Sequence, residues 1–319
     1  MNRDAFPKAP DIAQNARRLA GVQPNQADPS AQSKPFADPT NLLARALAIL
    51  DGDKMSGDAL RFAKRASIAA EVAIPSVGLE PTPAADLTLQ RRVLSDGAEC
   101  FLPIRYFDVQ CLVATFLAPP DQASDLLVRT GLQPVFQEDG RAVVDLYCIE
   151  YRKTDIGPYN EVGLTVRAVA PGDPIAASYV VYLPVTTAVA CRAGREIWGY
   201  NKFVAAIDVS SEGKTFSTVL RDDSHEIICG LEGRRDASVP APPTDILTFT
   251  LHHGRLIKTV IRVPTPSFAS SGDSFLLKVG PSRHPMANNL RTLALDGARP
   301  VLVYYTNPFQ ALLFPGQAI

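Results

Sequence analysis

The residues with the clearest chemical potential lie between Gly194 and Lys202, in the run Gly-Arg-Glu-Ile-Trp-Gly-Tyr-Asn-Lys. Lys202 ends a turn marked by glycine and precedes the apolar run 203–207. A lysine at the start of an apolar strand loses solvation, which disfavours its ammonium form. A neutral amine can attack a carbonyl carbon and form a Schiff base. The run therefore makes Lys202 the strongest candidate nucleophile in the chain, while a solvated surface charge is the common alternative for a single lysine.

Two aromatic residues beside this lysine are candidates for the walls of its site. Trp198 and Tyr200 are large enough to exclude water around the amine, so both are predicted to line a substrate-binding pocket. Phe203 follows Lys202 directly. Because successive side chains of a strand point to opposite faces, its ring is expected on the other side of the strand.

This stretch resembles a motif of the acetoacetate decarboxylase superfamily. In that family a Gly-Arg-Glu triplet precedes an aromatic-proline-lysine-lysine segment, and the first lysine forms the Schiff base. Here the triplet is Gly194–Glu196 and the first lysine falls on Lys202. Upstream, Tyr159–Glu161 resembles the family's tyrosine-X-glutamate, and Tyr182–Leu183 its tyrosine-leucine pair.

The resemblance covers roughly Phe101 to the C-terminus, where Leu277–Phe314 is similar to the family's last helix and strand. Two departures stand inside the motif. Asn201 replaces the proline, and Phe203 occupies the position at which decarboxylases of this family carry a second lysine. Either a cationic neighbour or desolvation can activate such a lysine. The phenylalanine therefore implies that burial contributes more of the activation in this chain.

The resemblance adds Glu161 and Arg105 to the candidate site. Glu161 opens the apolar strand 161–169 and matches an active-site glutamate of the family, where a carboxyl could shuttle protons around the imine. The alternative is an exposed glutamate at a strand end. Arg105 resembles a family arginine with an offset of one position, and it could bind a substrate carboxylate. A surface role for Arg105 is the equal alternative.

Four other charged residues have less defined roles. Asp145 and Glu150 lie where the family has a second buried glutamate, but neither aligns with it. Asp145 is either a pocket carboxylate or an outward strand residue. Arg195 and Glu196 are predicted to form a structural ion pair that orients the lysine loop.

Bulk properties predict no nucleic-acid or membrane partner. The net charge is −1 and the isoelectric point is about 6.4. No apolar run reaches the length of a membrane-spanning helix, and the N-terminal residues lack the apolar core of a signal peptide. The five cysteines show no Cys-X-X-Cys spacing. That pattern favours buried, reduced thiols in a cytoplasmic protein.

Other classes of site lack their motifs. His252 and His253 are adjacent on a predicted strand, so their rings are expected on opposite faces and unable to share one ion. The sequence has no His-Glu-X-X-His, no Gly-X-Ser-X-Gly and no Gly-X-Gly-X-X-Gly. A metal site, a serine hydrolase and a Rossmann domain are therefore disfavoured. No metal or organic cofactor is expected.

The chain is predicted to be α+β and predominantly antiparallel β, with a curved sheet or a closed β-barrel-like body and an N-terminal helical appendage. Residues 1–37 are predicted to be a flexible segment, 38–90 a helical appendage with a linker, and 91–319 an acetoacetate decarboxylase-like catalytic domain. Within the last unit, helices are predicted at 121–130, 187–198 and 286–293. Strands are predicted at 106–117, 142–151, 161–169, 179–183, 203–209, 215–220, 226–231, 246–251, 256–263, 275–278 and 300–314.

The resemblance implies a cofactor-independent Schiff-base enzyme that acts on a small keto acid, with Lys202 as nucleophile. Decarboxylation of a β-keto acid is the first reaction it implies. Some family members without the second lysine act as aldolase-dehydratases, so Phe203 keeps that reaction open. A non-catalytic, small-molecule-binding barrel is the third alternative. The protein is expected to be a cytoplasmic homo-oligomer.

The appendage is predicted to contain two helices, one from Asp38 to Gly52 and one from about Asp58 to Pro75. They need an apolar surface to cover, because isolated helices of this length are marginal in water. We therefore expect a chain that begins at Leu89 to keep imine formation but to change its oligomeric state in light scattering. A shortened chain that is folded yet forms no imine would show that the appendage belongs to the site.

Overall fold

The computed structural model of the protein describes residues 88–235 and 238–319. The predicted flexible segment 1–37 and nearly all of the predicted appendage 38–90 lie outside these residues. The predicted catalytic domain 91–319 falls within them, except for residues 236 and 237.

Most of the described chain is strand, with three helices. The helices are α1 (Pro120–Asp125), α2 (Ala188–Trp198) and α3 (Pro285–Thr292). The strands are β1 (Gln90–Val93), β2 (Glu99–Leu102), β3 (Ile104–Ala118), β4 (Gln133–Pro134), β5 (Ala142–Thr154), β6 (Tyr159–Ala170), β7 (Asp173–Tyr182), β8 (Ala206–Glu212), β9 (Thr215–Arg221), β10 (Ile227–Arg234), β11 (Ser238–Ala241), β12 (Ile246–His252), β13 (Arg255–Arg262), β14 (Ser267–Ser271), β15 (Phe275–Val279), β16 (Leu302–Leu313) and β17 (Gln317–Ala318). None of the helices in these ranges has the length and apolar character needed to cross a membrane.

Seven strands pair in a closed ring. The order is β16, β3, β5, β6, β7, β12 and β13, and β13 pairs again with β16 through Ile261–Leu313 and Arg262–Leu312. Six of these pairings are antiparallel, and the pairing of β7 with β12 is parallel. The chain is thus α+β and predominantly antiparallel, with a curved sheet, as the sequence predicts.

The long strands of the ring are buried on both faces. On β5, Val144, Leu146 and Cys148 belong to the largest apolar core, while the alternate residues Tyr147 and Ile149 face the interior of the ring. This alternation follows from the two-residue period of a strand. Because both faces are buried, the sequences of β5 and β6 are almost continuously apolar and do not alternate between apolar and polar residues.

The outer face of the ring is covered by a second sheet. Strands β15, β10, β9 and β8 pair antiparallel in that order. Together with α3 they contribute to the same apolar core as β5 and β6, through Phe216, Leu220, Phe275 and Leu290. Burial of these side chains supplies the hydrophobic stabilisation that holds the two sheets together.

A hairpin formed by β1 and β2 packs on the helix α2. Leu94 and Cys100 of this hairpin form an apolar cluster with Ala193 of α2. The Ser95 backbone N–H donates to Glu196 Oε2 at 2.9 Å, and the Ser95 hydroxyl also donates to this carboxylate. These contacts fix the position of the helix that precedes Lys202.

Most predicted elements are confirmed within a few residues, and the deviations are local. The predicted strand 203–209 is wrong at its start, since β8 begins at Ala206 and only Val204 makes an isolated bridge, to Val185. The helix predicted at 121–130 ends at Asp125 and continues as turns. The short strands β1, β2, β4, β11, β14 and β17 were not predicted from the sequence.

Asp145 is neither a pocket carboxylate nor an outward residue, because it forms a buried ion pair inside the ring. Arg167 Nε donates to Asp145 Oδ2 at 2.7 Å, and the side chains of Asp145 and Arg167 are 0% and 7% exposed. The Thr115 hydroxyl donates to Asp145 Oδ1 at 2.6 Å. The opposite charges of this buried pair therefore compensate each other.

Removing one partner of this pair is expected to be costly. Asp145→Ala would leave the Arg167 guanidinium buried without its carboxylate, which should lower the free energy of unfolding by about 3–5 kcal/mol in urea denaturation. Asp208→Ala is the matched control, since Asp208 pairs with Arg221 at an exposed site. A loss of about 1 kcal/mol or less is expected there. Similar small losses in both variants would contradict the structural role of the buried pair.

Candidate functional site

Lys202 and Glu161 form a buried ion pair inside the ring. The side chain of each is 6% exposed, and Lys202 Nζ donates directly to Glu161 Oε2. Glu161 lies on β6, while Lys202 lies in the segment between α2 and β8. The two residues are 41 positions apart in sequence. A buried charge of this kind is tolerated only with a partner, and here each residue is the partner of the other.

The segment that carries Lys202 is held against the end of β7 and the residues that follow it by backbone and side-chain hydrogen bonds. The Leu183 N–H donates to Asn201 O at 3.0 Å, and the Val185 N–H donates to Phe203 O at 3.0 Å. The side-chain amide of Asn201 donates to Val181 O at 2.8 Å. The residues on each side of Lys202 are therefore fixed, and Asn201, which stands in place of the family's proline, contributes both backbone and side chain.

Two glycines of α2 and its end allow this placement. Gly199 adopts a left-handed conformation with φ of 70°, which ends the helix and turns the chain back towards Lys202. Gly194 lies in the middle of the helix, where a Cβ would collide with Cδ and Cε of Lys202. The lysine stem therefore lies in a groove that exists because residue 194 has no side chain.

A cavity of about 90 Å³ surrounds the pair, and all seven strands of the ring contribute to its lining. Lys202 and Glu161 are the only charged residues among the described residues that line it. Trp198 and Tyr200 are buried in its wall, as predicted from their position in the sequence. The Trp198 Nε1–H donates to Phe314 O at 2.8 Å, and the Tyr200 hydroxyl lies 2.9 Å from Thr248 Oγ1.

The sequence profile described as acetoacetate decarboxylase (ADC) matches residues 94–261, which is more than half of the 319 residues. The chain belongs to the acetoacetate decarboxylase family. No curated protein sequence matches it.

Solved structures of the family share the fold at low sequence identity. Acetoacetate decarboxylase from Legionella pneumophila subsp. pneumophila str. Philadelphia 1 is 17% identical, with a TM-score of 0.53 over 75% of this chain and 93% of that one. The enduracididine biosynthesis enzyme MppR is 15% identical, with a TM-score of 0.52 over 68% of this chain and 88% of that one. MppR has also been solved with the condensation product of pyruvate and imidazole 4-carboxaldehyde.

The structure brings Lys202, Glu161, Trp198 and Tyr200 together but leaves Arg105 elsewhere. Ile104 and Tyr106 line the cavity, and the intervening Arg105 is not part of that lining. Its guanidinium instead donates to the Asp155 carboxylate, with Nη2 2.9 Å from Oδ1. This follows from side-chain alternation along β3, and of the two alternatives for Arg105 the placement fits the surface role.

The Gly-Arg-Glu triplet plays a different role from the predicted one. Glu196 bonds Ser95 of the β1–β2 hairpin, so the expected ion pair between Arg195 and Glu196 is not formed. Adjacent residues of a helix point in different directions, which separates their charged groups. In the triplet, Gly194 thus leaves space for the Lys202 stem, and Glu196 binds the β1–β2 hairpin through Ser95.

Phe203 turns away from the cavity, as strand alternation predicts. Its ring lies against His284 of the loop before α3, with ring centroids 4.4 Å apart, and it packs on the large core outside the ring. The position at which family decarboxylases carry their second lysine therefore points away from Lys202 in this chain.

His252 and His253 do not diverge as predicted from the sequence. His253 has φ of 49° in a turn, and the two ring centroids are 4.1 Å apart. Burial, followed by the neighbouring His253, lowers the pKa of His252. Within residues 88–235 and 238–319, no group of three His, Cys, Asp or Glu residues is arranged to hold a metal ion.

A group of tyrosines around Glu161 was not predicted from the sequence. The Tyr151 hydroxyl donates to Glu161 Oε1 at 3.1 Å, and the Tyr151 ring stacks on Tyr159 with centroids 4.4 Å apart. Burial raises the pKa of Tyr151 well above its usual range, and the nearby Glu161 carboxylate adds to this effect. Tyr151 thus remains a hydrogen-bond donor. The one signal in the sequence was the two-residue spacing of Tyr159 and Glu161, which places both side chains on the same face of a strand.

Gly194 gives a prediction for the packing of the lysine. Alanine favours a helix interior by about 1 kcal/mol over glycine, yet Gly194→Ala should lower the free energy of unfolding by about 1–3 kcal/mol because its methyl group displaces the Lys202 stem. Gly230→Ala is the control, since a Cβ there meets only ordinary contacts at 3.4 Å and beyond.

The double variant Gly194→Ala with Lys202→Ala isolates this contact. Removing the lysine stem frees the space for the methyl group, so the two losses should be strongly non-additive in urea denaturation. Additive losses would show that Gly194 is not required by the lysine.

Proposed function

We propose that this protein is a Schiff-base enzyme that acts on a keto acid through Lys202. The observation that carries the proposal is the buried Lys202–Glu161 pair, which supplies the only charges among the described residues that line the cavity. Family membership supports carbonyl chemistry at this lysine. No step of this reaction requires a metal or an organic cofactor.

The first half of the reaction forms the imine. Lys202 Nζ passes a proton to the Glu161 carboxylate that it contacts, and the freed lone pair attacks the substrate ketone. The carbinolamine oxygen takes up this proton from Glu161 and a second proton that the nitrogen gives up through the same carboxylate, and it leaves as water. The product is a protonated imine on Lys202 opposite the Glu161 group, which is the same charge arrangement as in the resting pair.

The second half breaks a carbon–carbon bond. For a β-keto acid, the bond to the carboxylate breaks and its electron pair moves to the imine nitrogen, which releases carbon dioxide and leaves an enamine. The apolar cavity favours this step, because a carboxylate in an apolar site is destabilised relative to neutral carbon dioxide. A proton from water, delivered directly or through Glu161, then reaches the enamine carbon, and water hydrolyses the resulting imine to release the ketone product and Lys202.

The tyrosine beside Glu161 supports its role in proton transfer. Tyr151 donates to Oε1 while Lys202 donates to Oε2, so the two carboxylate oxygens are held in fixed directions. A carboxylate held in this way keeps one oxygen aimed at the nitrogen through the proton transfers.

An aldolase-dehydratase is the second candidate function. The observation in its favour is Phe203, which supplies no cation beside Lys202 and turns its ring to His284. With a 2-keto acid such as pyruvate, the same lysine would form an enamine that attacks an aldehyde. The solved complex of MppR with a condensation product of pyruvate and an aldehyde is an example of such a product bound on this fold in that enzyme.

We further propose that residues 91–319 form the catalytic unit of a cytoplasmic homo-oligomer, with residues 38–90 as an appendage used in assembly. The five cysteines are buried and unpaired, which is consistent with a reducing compartment. The described cavity suits a small molecule, and neither nucleic acid nor a membrane is needed as a partner.

Borohydride reduction in the presence of acetoacetate or pyruvate tests the imine. We expect one stable adduct, located on Lys202 by mass spectrometry, and no adduct with Lys202→Ala. Lys278→Ala is the control, because Lys278 is an exposed lysine paired with Glu232. Glu161→Gln should slow imine formation by about 10²-fold or more, since it removes the proton acceptor. Adducts on other lysines, or turnover by Lys202→Ala, would refute the proposal.

The same assay separates the three alternatives by product. Carbon dioxide release from acetoacetate identifies a decarboxylase, and a condensation product from pyruvate with an aldehyde identifies an aldolase-dehydratase. Absence of any adduct across the panel, with ligand binding retained in calorimetry, identifies a non-catalytic binding protein.

A further inference from the structure

The β1–β2 hairpin exposes one of its two faces. In its antiparallel register, Arg91 lies opposite Phe101 and Val93 lies opposite Glu99, so these four side chains share one face. All four are exposed, whereas the alternate residues of β2, on the other face, are buried. Leu89, directly before β1, is exposed as well. These five residues together are called the hairpin face below.

Three of the five side chains on the hairpin face are large and apolar. Leu89, Val93 and Phe101 are 43%, 56% and 43% exposed. Val93 and Phe101 are diagonal neighbours across the two strands, with their Cβ atoms ~8 Å apart or less. The Arg91 guanidinium donates to the Glu99 carboxylate, with Nε 2.8 Å from Oε2, so the two charges of the face compensate each other. A segment that covers this face would bury apolar surface without isolating a charge.

The chain that leads into this face contains a candidate cover. Residues 1–87 lie outside the described ranges, and the described chain begins at Thr88, one residue before the hairpin face. Only residues 75–87 separate the second predicted helix of the appendage from Thr88. A linker of this length spans roughly 20–40 Å, depending on how far its prolines extend it. The linker therefore keeps that predicted helix within reach of the hairpin face.

The second predicted helix, residues 58–74, has an apolar stripe of mostly small side chains. Spacings of three and four residues place six apolar residues on one side of such a helix. They are Ala59, Phe62, Ala63, Ala66, Ala70 and Ala73. Large side chains of one element pack well against small ones of the facing element. A helix of this length is ~25 Å long and can cover the ~13 Å of strand between Leu89 and Val93.

We propose that the hairpin face binds the second predicted helix of the same chain, with the alanine stripe and Phe62 packed on Leu89, Val93 and Phe101. A second copy of the protein fits this face less well. Three half-exposed side chains offer a few hundred Å² at most, whereas a stable contact between free copies buries about 800 Å² on each. A tethered helix needs less area, because the linker already gives it a high effective concentration.

Hydrogen exchange of the full chain tests this contact. Amides of residues 62–74 should exchange at least about tenfold more slowly than in the isolated peptide 58–74, because an isolated helix of this length is marginal in water. Val93→Asp places a charge in the contact and should remove this protection, while the amides of β3 and β5 stay protected. Val128→Asp is the matched control and should leave the protection unchanged, since Val128 is 78% exposed and follows the end of β3 that is far from the hairpin.

Disulfide trapping identifies the side of the predicted helix and the chain that supplies it. The five natural cysteines are buried and unpaired, so an introduced pair can be followed by mass spectrometry. Ala59, Ala66 and Ala73, changed to Cys one at a time together with Val93→Cys, sample the length of the stripe. At least one of these pairs should form an intrachain disulfide about tenfold faster than Arg61→Cys with Val93→Cys, because Arg61 lies on the opposite side of the predicted helix.

Each outcome decides the inference. Protection of residues 62–74 that Val93→Asp removes, together with an intrachain disulfide from the stripe, supports it. It is overturned if these amides exchange as fast as in the isolated peptide, if their protection survives Val93→Asp, or if disulfides form only between two chains, which would assign the hairpin face to a second copy. No residue of the hairpin face lines the Lys202 cavity, so this inference and the imine proposal can fail separately.

Discussion

The ion pair between Lys202 and Glu161 constrains the rest of this molecule. Two charges at 6% exposure are tolerable only while they contact each other, because burial of a single charge is far more costly than burial of a pair. Each residue of the pair must also be held in place by a different element of the fold. β6 supplies Glu161 from within the sheet, and the end of α2 supplies Lys202 from a segment fixed against β7. The closed ring of strands brings β6 and the Lys202 segment to the same cavity.

The ring can hold a cavity because its outer face is packed against a second layer. The second sheet and α3 cover β5 and β6 with apolar side chains, so the stability of the body does not depend on filling the interior. The Asp145–Arg167 pair is buried in the same ring, with its charges compensated. This arrangement leaves an inner surface that combines aromatic walls with one cation and one anion, and a dry environment of this kind strengthens electrostatic interactions between them.

The departures of this chain from the family motif have local physical explanations. Asn201 replaces a proline, and its side-chain amide bonds Val181 O, which fixes the lysine segment by a hydrogen bond where proline would restrict the backbone. Phe203 replaces the second lysine, and its ring packs against His284 on the far side of the segment. Restraint of the Lys202 backbone is thus retained, whereas a second cation at position 203 is not.

The sequence by itself determined the strand-rich fold, the burial of the cysteines, and the candidate pair Lys202 and Glu161. These follow from local signals, since apolar runs, glycine turns and a family motif are contiguous in the chain. Only the tertiary structure decided which side chains meet across the ring. Arg105 faced away because a one-residue shift on a strand reverses the direction of a side chain. The surroundings of Tyr151 and Thr165 gave no local signal in the sequence. The hydrogen bond of Tyr151 to Glu161 and the absence of a partner for Thr165 Oγ1 among the described residues both depend on which strands pair in the folded protein. Gly194 was recognisable in the sequence as part of a motif. The need for glycine at this position became clear only from the folded structure, in which the Lys202 side chain occupies the space of a Cβ.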